Sequence, residues 1–299
     1  MIRFDGILLF ILLVSAPTVP AQVAGVPPPA PHAATNNQGS FPLAERYVRE
    51  ASAFCNLQDY DGAIASYTKA ISLEPRWSKA FMGRAVAYLG RGDKEAALAD
   101  LGKVLQIDPK GPDVFDALSL RGQVCQQKGD FDEAIKDFSR AIGIRPKDPG
   151  MYNARGKAKE DRGDLQGALA DFDMAVSLLP NAPGFCLNRG IVRKALKDFD
   201  GALIDFDKAI EFSGENALAY FHRGEARQAK GQLEAAIADY DIAVEQNPGY
   251  APAYASRGLA KLSRGRDGDA EADFNQAIKL DPALKPSLTK SVEEIKRKR

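Results

Sequence analysis

The chain has 299 residues, of which 27% are charged, and its 40 basic and 40 acidic residues give a formal net charge of zero at pH 7. The two signs alternate along the chain instead of clustering, which argues against nucleic acid or a membrane surface as a general partner. With two histidines, three cysteines and no histidine–cysteine cluster at metal-ligand spacing, the chain is poorly supplied for acid–base catalysis and for metal binding.

The first 21 residues have the three parts of a secretory signal. These parts are Arg3 near the start, an apolar core from Ile7 to Val14, and small residues at Val19 and Ala21. We therefore expect an exported protein, periplasmic or secreted and bacterial, with cleavage after Ala21. The alternative is an uncleaved membrane anchor, although a core of about eight apolar residues is short for a bilayer. Membrane contact is expected only in that case.

Residues 22–43 are rich in proline, alanine, glycine and asparagine and carry almost no charge. This composition predicts a disordered spacer between the signal and the remainder of the chain. A repeated pattern begins after it, at Ala44.

Beyond the spacer, an arginine is followed sixteen residues later by an aspartate in six places. The last four of these arginines are 34 residues apart, so one unit has been copied in tandem. A pair that recurs in this way is typical of a packing rule, and we expect each pair to lie between two helices as a structural ion pair. The alternative is a row of arginines that grips an acidic ligand. The pairs are Arg84–Asp100, Arg121–Asp137, Arg155–Asp171, Arg189–Asp205, Arg223–Asp239 and Arg257–Asp273.

Each copy predicts a hairpin of two amphipathic helices, because apolar and small residues recur every three or four residues on both sides of a central turn. In the copy that starts at Phe115, Gly129 ends the first helix in the left-handed conformation. Asp130 then caps the second helix, with Glu133 completing a capping box, and Pro146 stops it. Small residues mark where the two helices approach each other, and the aromatic residue that usually follows the aspartate supplies apolar bulk.

The small, aromatic, alanine and proline positions at this spacing resemble the tetratricopeptide repeat family. The resemblance implies an all-α solenoid, a right-handed superhelix of seven helical hairpins. Three extra residues lie between copies two and three, and copy one has Glu50 and Ser66 in place of the arginine and the aspartate. Copies one to seven occupy residues 44–77, 78–111, 115–148, 149–182, 183–216, 217–250 and 251–284.

Residues 285–299 predict a cap helix with a basic tail, which covers the apolar side of the last hairpin. The residues that fall on one face of this helix are Leu284, Leu288, Val292 and Ile295.

The resemblance also implies that the first helices line a concave groove that binds peptides or partner helices. At the family's groove positions, copies three and four are polar, whereas apolar residues dominate in copy two and recur in copies five to seven. The predicted groove residues are Met82, Val86, Leu89, Asn153, Lys157, Leu187, Asn188, Ile191, Phe221, His222, Leu259 and Leu262. Phe221 is the expected anchor, and the alternative for Leu259 and Leu262 is packing within the array or under the cap helix.

A carboxylate clamp, which chaperone-binding members of the family use to hold a partner's C-terminus, is not expected in this chain. Asn188 matches one clamp position, but Leu218 and His222 replace two of the cations.

The chain carries no HExxH, no GxSxG and no glycine-rich phosphate loop. We therefore expect a non-catalytic scaffold, without cofactor or metal, that binds a protein or peptide segment in the groove. The alternatives are a structural adaptor of envelope assemblies that uses the convex face or the ends, and an accessory subunit of an enzyme complex. The three cysteines, Cys55, Cys125 and Cys186, are expected to be small buried apolar residues.

Overall fold

The computed structural model describes residues 40–299, and within that range the chain forms fifteen α-helices and no β-strand. The helices follow one another in tandem antiparallel pairs, which confirms the predicted all-α solenoid of hairpins. The first helices of copies one to seven are α1 (Ser40–Asn56), α3 (Ser78–Arg91), α5 (Val114–Lys128), α7 (Pro149–Asp161), α9 (Pro183–Ala195), α11 (Ala217–Ala229) and α13 (Ala251–Ser263). The second helices are α2 (Tyr60–Leu73), α4 (Lys94–Ile107), α6 (Phe131–Ile144), α8 (Leu165–Leu178), α10 (Phe199–Phe212), α12 (Leu233–Gln246) and α14 (Asp267–Leu280).

The helical array starts earlier than the sequence predicts. The predicted signal at residues 1–21 and most of the predicted spacer lie outside the described residues, but α1 begins at Ser40 and includes the spacer's last four residues. Two contacts hold this start in place: the Phe41 ring lies 5.1 Å from the Trp77 ring, and the Ser40 hydroxyl donates to Glu74. From α1 to the end of the chain, no helix combines the length and the apolar character needed to cross a membrane.

Glycine is required where the first helix meets an aromatic ring of the second. A Cβ atom added to Gly122 would lie 2.7 Å from the Phe138 ring, which is closer than real Cβ contacts allow. The same clash would occur for the pairs Gly156–Phe172, Gly190–Phe206, Gly224–Tyr240 and Gly258–Phe274. Copy two shows the compensating exchange, because Ala85 replaces the glycine and Leu101 replaces the ring.

The turn inside each hairpin uses a residue in the left-handed region. Five copies place a glycine there, with φ from 76° to 91°, while copies one and five use Gln58 and Lys197. The aspartate that follows caps the second helix in several copies; Asp164, for example, accepts from the Gly167 amide. The capping bond predicted for Asp130 is not formed, and its carboxylate lies 3.8 Å from the Lys128 ammonium instead.

The array ends in a short 3₁₀ turn (Pro282–Leu284) and the cap helix α15 (Lys285–Lys298). Leu288 of α15 is buried against Ala255 and Ala277 of copy seven. In α14, Glu271 stands where the preceding copy has the buried Ile237, so copy seven presents a charged residue at this position. Such a polar outer face is what a terminal unit needs to remain soluble.

Candidate functional site

The six arginine–aspartate pairs lie inside the hairpins. In each pair, Nε of the arginine donates to Oδ2 of the aspartate and Nη2 donates to Oδ1, over 2.6 to 3.1 Å. The six aspartates are at most 5% exposed. Fork-to-fork bonding of this kind is the strongest class of protein hydrogen bond, and in copy two it raises the pKa of Arg84. Because these carboxylates already occupy the arginines, the geometry favours the structural role over a ligand-gripping one.

The same arginines also reach the preceding hairpin through their third nitrogen. Nη1 of Arg189, Arg223 and Arg257 donates to an aspartate two residues beyond the buried one in the copy before, at 3.0, 2.7 and 2.7 Å. In copies two and four the acceptor is a hydroxyl, of Thr68 and Ser139 respectively, at 3.0 Å. Each of these arginines therefore joins two consecutive hairpins. The charged bridges could have been predicted from the recurring motif Asp-aromatic-Asp, whose second aspartate is the acceptor.

A second cation binds the buried aspartate in copies four to seven. It stands four residues after the arginine, one helical turn along the same face, and lies 2.8 to 2.9 Å from the carboxylate. Copies two and three have Tyr88 and Cys125 at this position. This recurrence was not predicted from the sequence; the four cations are Lys159, Arg193, Arg227 and Lys261.

The polar residues predicted for the groove do come together across neighbouring first helices. Asn188 of α9 donates through Nδ2 to Oδ1 of Asn153 in α7 at 2.9 Å. Lys157 lies 2.9 Å from Glu160 one turn along α7. Between α5 and α7, the Gln126 amide donates to Asp161 at 2.6 Å. Polar side chains of neighbouring first helices therefore contact each other in the middle copies.

A three-residue cluster joins α9 and α11 in the same way. Nδ1 of His222 lies 2.8 Å from Oε2 of Glu225 and 3.1 Å from Nζ of Lys194, which also bonds to Glu225. Burial acts to raise the pKa of Glu225, but the hydrogen bonds from His222 and Lys194 outweigh it and lower that pKa. The His222 ring stacks on Phe206, with ring centroids 6.0 Å apart. The cluster is thus partly buried and internally satisfied.

Phe221, which the sequence analysis takes as the anchor of a partner, is a core residue. It is 5% exposed, and its ring lies 5.9 Å from Tyr240 of its own hairpin and 5.0 Å from Tyr250, which precedes α13. Leu262 is likewise buried, at 2% exposed, in accordance with its alternative. Both residues are therefore withdrawn from the groove prediction. Counting positions on a helix face did not reveal that Tyr240 and Tyr250 cover Phe221.

The other predicted apolar groove residues divide between packing and exposure. Val86 is 38% exposed. Leu259 packs in the cluster that includes Leu288 of the cap helix, in accordance with the alternative that it lies under this helix. Half-buried against neighbouring core clusters are Met82, Leu89, Leu187 and Ile191.

The three cysteines do not form a reactive site. Cys125 and Cys186 are buried and Cys55 is half-buried, and none is in a disulfide. Burial raises the pKa of all three thiols, which lowers the fraction of reactive thiolate. Among residues 40–299, no three histidine, cysteine, aspartate or glutamate side chains are grouped so that they could hold a metal ion.

Comparison with known proteins gives a consistent family match. A tetratricopeptide repeat model matches residues 115–148, and a second model of the same description matches residues 48–112, 187–251 and 221–284, so that more than half of the chain is matched. The small glutamine-rich tetratricopeptide repeat-containing protein 2 of Mycosarcoma maydis is 27% identical over 117 residues, which are 39% of this chain and 32% of that protein. The photosystem I assembly protein Ycf3 of Prochlorococcus marinus is 32% identical over 95 residues, which are 29% of this chain and 55% of that protein.

A solved tetratricopeptide repeat protein from Parabacteroides merdae superimposes with a TM-score of 0.65 at 19% identity, over 84% of this chain and 98% of that one. At this identity the likeness shows the fold alone. The curated relatives are matched over about half of their length or less, so their names describe those proteins only.

Proposed function

Because this chain belongs to the tetratricopeptide repeat family, whose members are generally scaffolds for protein–protein interaction, we propose that it is a non-catalytic scaffold that binds a protein or peptide segment along its first helices. The proposed surface is the groove row, which we define as the polar side chains that connect α5, α7, α9 and α11. It consists of Gln126, Asn153, Lys157, Glu160, Asp161, Asn188, Lys194, His222 and Glu225.

The observation that carries this proposal is that a polar contact joins each pair of neighbouring first helices from α5 to α11. The bonds between these helices join residues 28 to 35 positions apart. The row also differs from the arginine–aspartate pairs, because its side chains are half-buried or exposed whereas those aspartates are buried. A segment lying along the row would therefore meet polar groups that are already held in position, which lowers the entropic cost of binding.

The amide pair at the centre of the row suits an extended backbone. Each asparagine side chain has two N–H donors and a carbonyl oxygen with two lone pairs. The bond from Asn188 to Asn153 uses one donor and one lone pair, so the pair retains donors and acceptors that could bond to a peptide group. Bonding of this type recognises main chain and does not require a particular side chain in the partner.

Two ion pairs, Lys157–Glu160 and Lys194–Glu225, balance most of the charge of the row, and Asp161 leaves it with one net negative charge. This balance does not favour a strongly acidic or strongly basic partner. Exposed apolar side chains lie at groove positions near both ends of the row: Val86 on α3 is 38% exposed, and Leu218 on α11 is 45% exposed. The segment that this surface fits best has a polar middle and apolar residues towards its ends.

Selection from a random peptide library displayed on phage tests the proposal. Peptides selected on the full chain should bind much less to the variant Asn153→Ala/Asn188→Ala. They should bind normally to Gln106→Ala/Gln166→Ala, which removes two exposed amides from second helices. Equal binding to the chain and to both variants would contradict the groove. Loss with Ile204→Asp, a change of an exposed residue of α10, would instead support an adaptor that uses its convex face.

The proposal includes export, which rests on the signal-like composition of residues 1–21. After expression in a bacterium, mass spectrometry of the periplasmic fraction should find a chain that starts at Gln22. An intact chain in the membrane fraction would support the anchor alternative, and an intact chain confined to the cytosol would contradict export.

A further inference from the structure

Three consecutive connections between hairpins form a surface that the proposed function does not use. They are residues 145–148, 179–182 and 213–216, which join copies three to four, four to five and five to six. Connections of the same kind follow one another along one edge of a tandem array. Their proximity is seen at the end of this stretch, where Gln246 of copy six donates to the Gly214 carbonyl at 2.9 Å. We call residues 144–148, 178–182 and 211–216 the turn edge.

The turn edge exposes one large apolar side chain at each of its three connections. Ile144 is 49% exposed, Leu179 is 47% exposed and Phe212 is 40% exposed. Ile144 and Phe212 end their second helices at the same repeat position, and Leu179 lies one residue beyond that position in copy four. Single exposed apolar residues are common on protein surfaces, but three at consecutive connections make a row.

The charges of the turn edge change sign along that row. Lys147, Asn181 and Glu215 occupy the same position in the three connections, which gives a cation, a neutral residue and an anion. Arg145 strengthens the basic end and Glu211 strengthens the acidic end. All five side chains are exposed. Asp148, which is half-buried and accepts from the Met151 amide, leaves the basic end with one net positive charge, whereas Glu211 and Glu215 give the acidic end two negative charges. The row therefore has a positive end, an uncharged apolar centre and a negative end.

We propose that the turn edge is the interface of a homodimer, with a second copy of this chain as its occupant. A two-fold axis through the uncharged centre, near Asn181, would place the basic end of each copy against the acidic end of the other. The apolar residues would meet around the axis, with Leu179 closest to it. An isologous interface must be complementary to itself, and a sign change about a neutral centre meets that condition.

The neighbouring row on the second helices limits the size of the interface. Its residues are Arg140, Met174 and Lys208, so it is basic at both ends and would repel itself under the same two-fold rotation. The contact must therefore stop at the turn edge. A standard interface buries about 800 Å² per partner, and we expect a contact limited to three connections to bury less. We expect a weak, reversible and salt-sensitive dimer.

Sedimentation velocity of the full chain, measured over a series of protein concentrations and at low and high salt, tests the proposal. The unchanged chain should show a monomer–dimer equilibrium that shifts towards monomer at high salt. Lys147→Glu alone and Glu215→Lys alone should each weaken dimerisation by about tenfold or more, because each places like charges opposite each other twice in the dimer. The double variant Lys147→Glu/Glu215→Lys should regain dimerisation, since the two-fold pairs each changed residue with the other.

The matched control is Asp269→Lys, which reverses an exposed acid of α14 away from the turn edge and should leave dimerisation unchanged. Phe212→Ser should weaken dimerisation without altering its salt dependence. Circular dichroism checks that each variant keeps the helical content of the unchanged chain. A chain that stays monomeric at all concentrations would overturn the proposal. So would a dimer that the control weakens equally, or a double variant no better than the single ones.

Discussion

Two joints of the array connect hairpins of the same fold by different chemistry. We call the joint between copies two and three the earlier joint, and the joint between copies five and six the later joint. At the earlier joint, Arg121 bonds only to Asp137 among the described residues. The contact with copy two is mainly apolar, with one exposed ion pair between Lys128 and Glu95. Its cluster includes Leu101, Leu105, Val114, Phe115 and Leu118. At the later joint, Arg223 holds Asp239 of its own hairpin and Asp207 of the preceding one, and Arg227 adds a second cation.

This difference has a local cause in the sequence. The three extra residues after copy two shift the start of α5, and Gly102 stands where later copies place the bridging aspartate. An apolar cluster takes the place of the missing arginine–aspartate bridge between the two hairpins. The array therefore requires a close contact between hairpins, whereas the chemistry of that contact can vary from joint to joint.

Removing the buried acid at the later joint should have the largest effect on stability. Asp239→Ala leaves Arg227 without its carboxylate partner and Arg223 with only the exposed Asp207, and an unpaired buried charge costs about 3 to 5 kcal/mol. We expect a smaller loss for Asp137→Ala, because a single arginine is left there. Urea denaturation followed by circular dichroism measures both, and equal losses would show that the second cation adds nothing.

An apolar truncation should be most costly at the earlier joint. Leu118→Ala removes a fully buried side chain from the apolar cluster of this joint, and such changes lower the free energy of unfolding by about 2 to 5 kcal/mol. Its matched control is Cys186→Ala, at the same position of copy five, where a smaller buried side chain leaves a smaller cavity. Neither loss should depend on salt. A larger loss for Cys186→Ala would place the tighter apolar packing at the joint between copies four and five.

Acid should weaken the later half of the array through Glu225. Its pKa is lowered in the folded state, so its contribution to stability is complete above the unfolded pKa and is lost as the pH falls through the folded value. The effect should be below about 1 kcal/mol, because the side chain is partly exposed. Unfolding free energies measured from neutral to acid pH should show a shallower acid loss for Glu225→Gln. Glu245→Gln, at an exposed acid of α12, is the control and should keep the slope of the unchanged chain.

The sequence was enough to predict the hairpins, their tandem order and the residues that separate them. Gly122 and Phe138 illustrate why: a small residue opposite a large one is a local packing rule that every copy must satisfy. The groove was harder to predict. The position of Phe221 in the repeat places it on the groove side of its helix, but Tyr240 and Tyr250 cover it. That contact depends on the packing angle between consecutive hairpins, which the repeat pattern does not specify. The early start of α1 has a similar origin, since Phe41 is held by Trp77 from a later connection.

The smallest expected effect comes from adding a charge bridge where the chain has a neutral one. In copy four, Arg155 and Lys159 share Asp171, and Nη1 of Arg155 donates to the Ser139 hydroxyl, so this group carries one more positive than negative charge. Ser139→Asp would give this joint the acceptor that copies five to seven receive from the preceding hairpin. We expect a gain of about 0.2 to 1 kcal/mol at low salt, because the new carboxylate would be partly exposed like its counterparts. High salt should remove the gain by screening.

Ser139→Asn keeps the shape of the new side chain without its charge. An equal gain from that variant would show that hydrogen bonding, and not charge balance, makes the later joints.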